Sequence, residues 1–207
     1  MSFLQQWESL GGGERGGHRR LLLTEDGQRA NLAFVTDLPD GVARRIHYSN
    51  GNRMVACTGD ECVECANGNR SRRMGYFWVY VFDILSPTQP KSGNAEQVKT
   101  SSGAVMWREN VGDLRLLQAN VSMVDGLRGQ YEIYGTLLGH KFVLIRRGAS
   151  RDINTSYTWA VTGQAEIPPE ALKEVPNLEE VVDNILRRRE GEAEDKRKAI
   201  VSALEEL

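Results

Sequence analysis

The stretch from Cys57 to Asp83 reads CTGDECVECANGNRSRRMGYFWVYVFD and holds all three cysteines of the chain at the spacing C-x4-C-x2-C. A chain of 207 residues can bury a sizeable core without disulfides, so stability alone does not account for the thiols. Three clustered thiols cannot pair off evenly, whereas thiols kept reduced in a cytosol are natural metal ligands. The C-V-E-C pair spans the reach over which two thiolates grip one ion from a tight knuckle, and Gly59 lets the preceding segment turn toward it. Structural zinc takes four ligands. His47 is the expected fourth, ten residues before Cys57, with His18 and His140 open as alternatives. Four protein ligands leave no open position, which makes the expected site a staple and not a catalytic centre. Redox chemistry of the thioredoxin kind needs a helix after the C-x-x-C, and here a polar loop, ANGNRSRRMG, follows.

Downstream of the thiols come Arg70, Arg72 and Arg73, then Tyr76, Phe77, Trp78, Tyr80 and Phe82. Guanidinium groups are planar donors for phosphate oxygens, and aromatic faces stack on unpaired bases. In a strand, Tyr76, Trp78, Tyr80 and Phe82 project one way, and each ring is as well suited to the core as to a base. The formal net charge of −2 conceals a split. Residues 1–169 hold 19 Lys and Arg against 17 Asp and Glu, while residues 170–207 hold 7 against 11. Positive charge in the body is local, at Arg15, Arg19 and Arg20, at Arg44 and Arg45, at Arg70, Arg72 and Arg73, and at Arg146 and Arg147.

Three segments are expected. Residues 1–17 form a flexible N-terminal arm, because GGGERGG cannot hold a regular element, although FLQQWESL before it has the spacing of a short docking helix. Residues 18–169 read as many short strands. Glu25-Asp26-Gly27 and the NGN of residues 50–52 are hairpin signals, MGYFWVYVFDIL is a long central strand, and KFVLIRR and TSYTWAVTG are later strands. The leucines and valines of VGDLRLLQANVSMV leave helix and strand both open. Beyond Pro168-Pro169, Leu178, Val181, Val182, Ile185 and Leu186 recur at helical spacing. Residues 170–207 are therefore expected to be an acidic helical tail, with a second apolar edge at Ile200, Val201, Leu204 and Leu207, suited to docking a protein partner. The expected class is mainly β, with the five-stranded OB barrel one of several small curved architectures that fit.

No apolar run approaches a membrane span, and Met1–Leu10 lacks a basic region followed by a long apolar run, so a cytoplasmic protein is expected. Nothing in the chain reads as an enzyme. GGGERGG is followed by no Lys-Ser or Lys-Thr, no dinucleotide fingerprint is present, and the aspartates are scattered without a paired-carboxylate spacing.

The succession LLLTEDGQRANLAFVTDLPDG, RRIHYS, CTGDECVECANGNR and MGYFWVYVFD resembles the single-stranded DNA-binding proteins of tailed bacteriophages, helix-destabilising replication proteins with a zinc-containing OB-fold core. KFVLIRRGASRDINTSYTWA looks like the closing strands of that core, and the likeness extends over roughly residues 18–165. The resemblance implies an OB-fold-like barrel with a zinc-binding insertion, and zinc held by His47, Cys57, Cys62 and Cys65. It also implies a cleft for single-stranded DNA lined by aromatic and basic residues, here expected at Arg70, Arg72, Arg73, Tyr76, Trp78, Tyr80, Arg146 and Arg147. The implied work is at replication, recombination and repair intermediates in the host cytoplasm, with replication proteins as candidate partners of the tail. A zinc-stapled protein-interaction or structural module is the alternative.

Overall fold

Strand signals dominate the sequence between the Gly-rich arm and Pro168, and the computed structural model follows them. It describes residues 20–49, 53–90, 93–100, 102–149 and 155–187. The N-terminal arm, His18, the NGN turn and the second apolar edge of the tail lie outside the described residues. Among the described residues there are eight strands: β1 (Arg29–Phe34), β2 (Val42–Ser49), β3 (Arg53–Ala56), β4 (Arg72–Ser86), β5 (Ala95–Lys99), β6 (Val105–Ala119), β7 (His140–Arg147) and β8 (Ser156–Gln164). Helices are α1 (Val63–Ala66), α2 (Val121–Tyr134), α3 (Pro169–Leu172) and α4, residues 178–187. The protein is thus mainly β. The chain divides into two units, one within residues 1–41 and 77–175, the other within 42–76 and 176–207.

In the larger unit β4, β1, β7 and β8 pair in that order, all antiparallel, and β6 pairs with β4 and β5. No pairing among the described residues returns from β8 to close the sheet, so the expected barrel is an open antiparallel sheet here. Opposite residues share a face, which aligns Val81, Leu32 and Phe142 in one row across β4, β1 and β7. That face is the core. Phe34 sits between Phe77 and Phe142 with edge-on rings 6.0 and 5.1 Å away, and Trp159 donates its indole N–H to the Met123 carbonyl of α2 at 3.1 Å. Leu127 and Met123 bring α2 onto the same cluster. A Cβ on Gly126 would lie 2.9 Å from the Trp159 ring, so only glycine lets helix and indole approach this closely.

The ambiguous VGDLRLLQANVSMV resolves as both elements. β6 runs to Ala119, and the Asn120 side chain then accepts the Met123 amide at 3.0 Å, starting α2. Gly135, at φ 75°, stops the helix. Beyond it Asp37 clamps the chain: its carboxylate accepts from the Thr136 hydroxyl at 2.6 Å and from the Leu137 and Leu38 amides at 2.8 Å.

The smaller unit contains the β3–β2 hairpin, the Arg72–Tyr76 part of β4 and α4. Arg44 is opposite Met74 and Val42 opposite Tyr76, so these side chains share a face with Ile46. Arg44 bonds Glu179 at 2.8 Å and Asp183 at 2.9 Å, which identifies that face as the one toward α4. Leu178, Val181, Val182, Ile185 and Leu186 are all buried. The apolar edge that the sequence offers to a partner is therefore covered within the protein over 178–187.

Loss of solvation would raise the Asp37 pKa, but the bonds from Thr136, Leu137 and Leu38 outweigh it and hold the carboxyl below its ordinary value of 3.8. Asp37→Ala should cost about 1–3 kcal/mol at pH 7. A depressed folded pKa gives stability that is present above the unfolded value and lost as pH falls through the folded one. Denaturation midpoints of wild type and variant should differ constantly from about pH 7 to 5 and converge below about pH 4; an undiminished gap at pH 3 would refute this role.

Candidate metal centre

The knuckle begins where β3 ends. Cys57 extends the hairpin by donating its amide to the Arg45 carbonyl at 2.8 Å, which sets Cys57 across from Arg45 on the face that also carries His47. Gly59, at φ 86°, then takes a conformation that side chains disfavour, and one 3-10 turn, Gly59–Glu61, carries the chain to Cys62. Cys62 precedes α1, and its carbonyl accepts the Ala66 amide at 3.0 Å. The Asn69 side chain closes the knuckle by donating to the Tyr48 carbonyl at 3.1 Å and to the Glu64 carboxylate at 2.9 Å. Each bond is local, so four residues spread over nineteen positions converge.

The ligand atoms of His47, Cys57, Cys62 and Cys65 all lie within 4.8 Å of one another. His47 Nε2 is 3.4 Å from Cys62 Sγ and 3.5 Å from Cys65 Sγ, and the Cys57 and Cys65 sulfurs are 3.7 Å apart. A tetrahedron with metal–sulfur bonds of about 2.3 Å and a metal–nitrogen bond of about 2.0 Å has S···S edges of about 3.8 Å and S···N edges of about 3.5 Å. These three separations fit it, and the remaining ones stay within 4.8 Å. The four residues are therefore close enough to hold a metal ion, with Nε2 as the imidazole ligand. His47 Nδ1 is buried and has no hydrogen-bond partner, so burial in place of a carboxylate or carbonyl orients the ring.

The thiols differ in exposure and acidity. Cys62 is buried, Cys57 partly so and Cys65 exposed. Amides of Cys65 and Thr58 lower the Cys62 pKa to about 6, while desolvation and the neighbouring Cys57 and Cys62 sulfurs raise that of Cys65 to about 11. Three thiolates this close would repel one another, and a metal ion held there would supply the positive charge that lets all three deprotonate.

Of the other two histidines, His140 lies in β7 with its ring 4.8 Å from that of Tyr134, and His18 is outside the described residues. The expected nucleic-acid contacts divide. Arg70, Arg72, Arg73 and Arg147 are exposed. Arg72 rests over the Tyr48 ring at 5.2 Å. Tyr76, Trp78 and Tyr80 are interior, at 1, 1 and 6% exposure, and offer no ring face to a base in this structure. Arg146 is buried as well. Its guanidinium donates to the Gly148 and Ala149 carbonyls and to Thr155, holding the ends of the β7–β8 connection.

Phe82 and Lys141 form a pair absent from the expected set. The register passes from Asn31–Asp83 to Leu32–Val81, so Phe82 is the extra residue of a bulge. Its half-buried ring packs against Tyr80 at 5.1 Å, and Lys141 Nζ lies 5.0 Å above it. Small Ala33, between Tyr80 and Lys141 in the register, leaves the lysine room to cross β1. The sequence carries one signal for this pair: Lys141 alternates with the core residue Phe142.

Comparison with known proteins finds no matching family model, no matching curated protein and no matching solved structure. Among the described residues, no helix is long and apolar enough to cross a membrane.

Protein purified without chelators should carry close to one metal ion per chain by elemental analysis. His47→Ala and Cys62→Ser should each weaken metal retention by more than the roughly 10- to 100-fold that loss of an outer-shell partner costs. Full retention by both variants in a chelator competition would refute the ligand set.

Proposed function

We propose that this chain binds single-stranded DNA without catalysis and with little sequence preference, through an OB-like body whose zinc-stapled insertion presents arginines to the phosphates. The observation that carries the proposal is a set of exposed arginines in the smaller unit, Arg45 in β2, Arg70 before β4 and Arg73 at its start, whose side chains have no ionic or hydrogen-bonded partner among the described residues. Holding unpaired cations on a pinned loop suits a polyanionic ligand.

The strand connections support the OB reading. Pairing runs β6–β4–β1–β7–β8, and α2 lies between β6 and β7. A five-stranded, partly open barrel of this kind binds oligonucleotides at a strand face and at the loop between its first and second strands. That loop corresponds here to residues 35–71, which contain the metal centre. Zinc is the proposed ion, because three thiolates and one imidazole form a closed tetrahedral donor set. In the larger unit, Phe82 beneath Lys141 supplies a ring accessible to a base, in place of the interior Tyr76, Trp78 and Tyr80. Replication, recombination and repair, where single strands are exposed, are the proposed setting.

Burial of those three rings also favours a second reading, a zinc-stapled interaction module with no nucleic-acid activity. Anisotropy titrations with labelled oligo-dT, duplex DNA and RNA across salt separate the two. Wild type should favour oligo-dT over duplex, with affinity falling steeply as salt rises. Phe82→Ala should weaken binding about 5- to 150-fold, the equivalent of roughly 1–3 kcal/mol per stacked base, with little change in salt slope. Replacing Arg70, Arg72 and Arg73 together by Ala should lower both affinity and slope. Absence of binding to any single strand by the metal-loaded protein would leave the interaction module.

A further inference from the structure

Arg44 and Arg45 are chain neighbours with opposite fates. Alternation along β2 sends Arg44 to the carboxylates of α4, at 2.8 and 2.9 Å, and Arg45 to the face of His47 and Cys57. On that face Arg45 stands directly across from Arg73 of β4. Both side chains are exposed, and neither has an ion pair or hydrogen bond among the described residues. Like charges placed directly opposite in a sheet repel, and ordinary surfaces relieve the repulsion with a nearby carboxylate, as Arg44 does. This pair has none.

We infer that Arg45 and Arg73 form a two-pronged site for a single phosphate group, on the face of the β2–β4 ladder that carries the metal centre. Cross-strand partners on one face hold their side-chain roots roughly 5 Å apart. From there two guanidinium forks converge on one tetrahedral anion, each giving paired N–H donors. The anion removes the repulsion that the free pair sustains. For a nucleic-acid backbone this assignment rests on the single-strand reading above, but the phosphate chemistry stands apart from it. Metal and site are linked through the backbone: Cys57 donates its amide to the Arg45 carbonyl, so the ligand loop and the first prong share one hydrogen bond. A competing role exists for the same arginines, since a zinc ion with three thiolates carries a net negative charge that they would offset.

The test uses full-length, metal-loaded protein and the variants Arg45→Gln, Arg73→Gln and the double substitution. Three quantities are measured: the salt slope of binding to labelled oligo-dT, the rise in unfolding temperature caused by inorganic pyrophosphate, and metal retention against a chelator. For a shared phosphate, each single variant should reduce the slope by about 0.7, and the double variant by the same amount and not twice as much. The pyrophosphate-induced rise should be present in wild type and absent from all three variants, with metal retention unchanged. A double variant that keeps both the slope and the pyrophosphate response overturns the site. Weaker metal retention with both anion responses intact also overturns it, and assigns the arginines to the thiolates. If wild type binds no oligonucleotide, the single-strand reading fails alone, and the pyrophosphate response decides the anion site.

Discussion

A side chain in a strand can face only one of two ways, and over β2 that rule decides what the smaller unit can do. Arg44 and Ile46 face α4, while Arg45 and His47 face the cysteine knuckle. A slip of one residue in register would exchange the sets. His47 would leave the thiols, and a cation would replace Ile46, which is fully buried. Register, metal site and the seating of α4 are thus one constraint. The α4 carboxylates that hold Arg44 and the sulfurs that gather around His47 both select the same pairing from opposite faces.

In the larger unit the same rule accounts for the aromatic run. Phe77, Val79 and Val81 fall on the core face with Phe34, Phe142 and Trp159. Trp78 and Tyr80 take the other face, and they too are covered. A strand buried on both faces reads as a continuous apolar stretch, so MGYFWVYVFDIL follows from packing before any ligand is considered. The bulge at Phe82 interrupts this. One extra residue brings an aromatic ring partly into solvent with Lys141 above it, and bulges commonly serve to re-aim a side chain in this way.

Much of the metal site could be read from residue spacing, because its ligands are local: the C-x4-C-x2-C knuckle is one turn and one short helix, and His47 lies on the neighbouring hairpin strand. The β2–β3 hairpin, the central strand and the helical period of the tail were legible for the same reason, whereas the turn at Glu25-Asp26-Gly27 joins no hairpin: residues 21–24 before it form no strand, and Gly27 donates its amide to the Arg146 carbonyl instead. Exposure was not. Whether Trp78 meets water depends on chain segments remote in sequence, and the helical period of Leu178 to Leu186 defines an apolar edge without saying what covers it. Arg146 shows the limit most clearly. Beside Arg147 it reads as half of a basic pair, yet alternation turns it inward, where the carbonyls of Gly148 and Ala149 accept its donors.

The formal charge of −2 sits awkwardly with a ligand made of phosphates, and the structure bears on this through position, not total. Fields that matter to a bound phosphate act within about a Debye length, roughly 8 Å in physiological salt. Part of the acidic tail is already engaged, since Glu179 and Asp183 neutralise Arg44. Among the described residues, Arg45, Arg70 and Arg73 have no such partner. On the proposed reading, therefore, the metal contributes by geometry more than by charge. Zinc with three thiolates is slightly anionic and attracts no phosphate of its own. On that reading its part is to remove the conformational freedom of an Asn- and Gly-rich loop, so that the arginines beyond it would not have to be ordered when a strand binds.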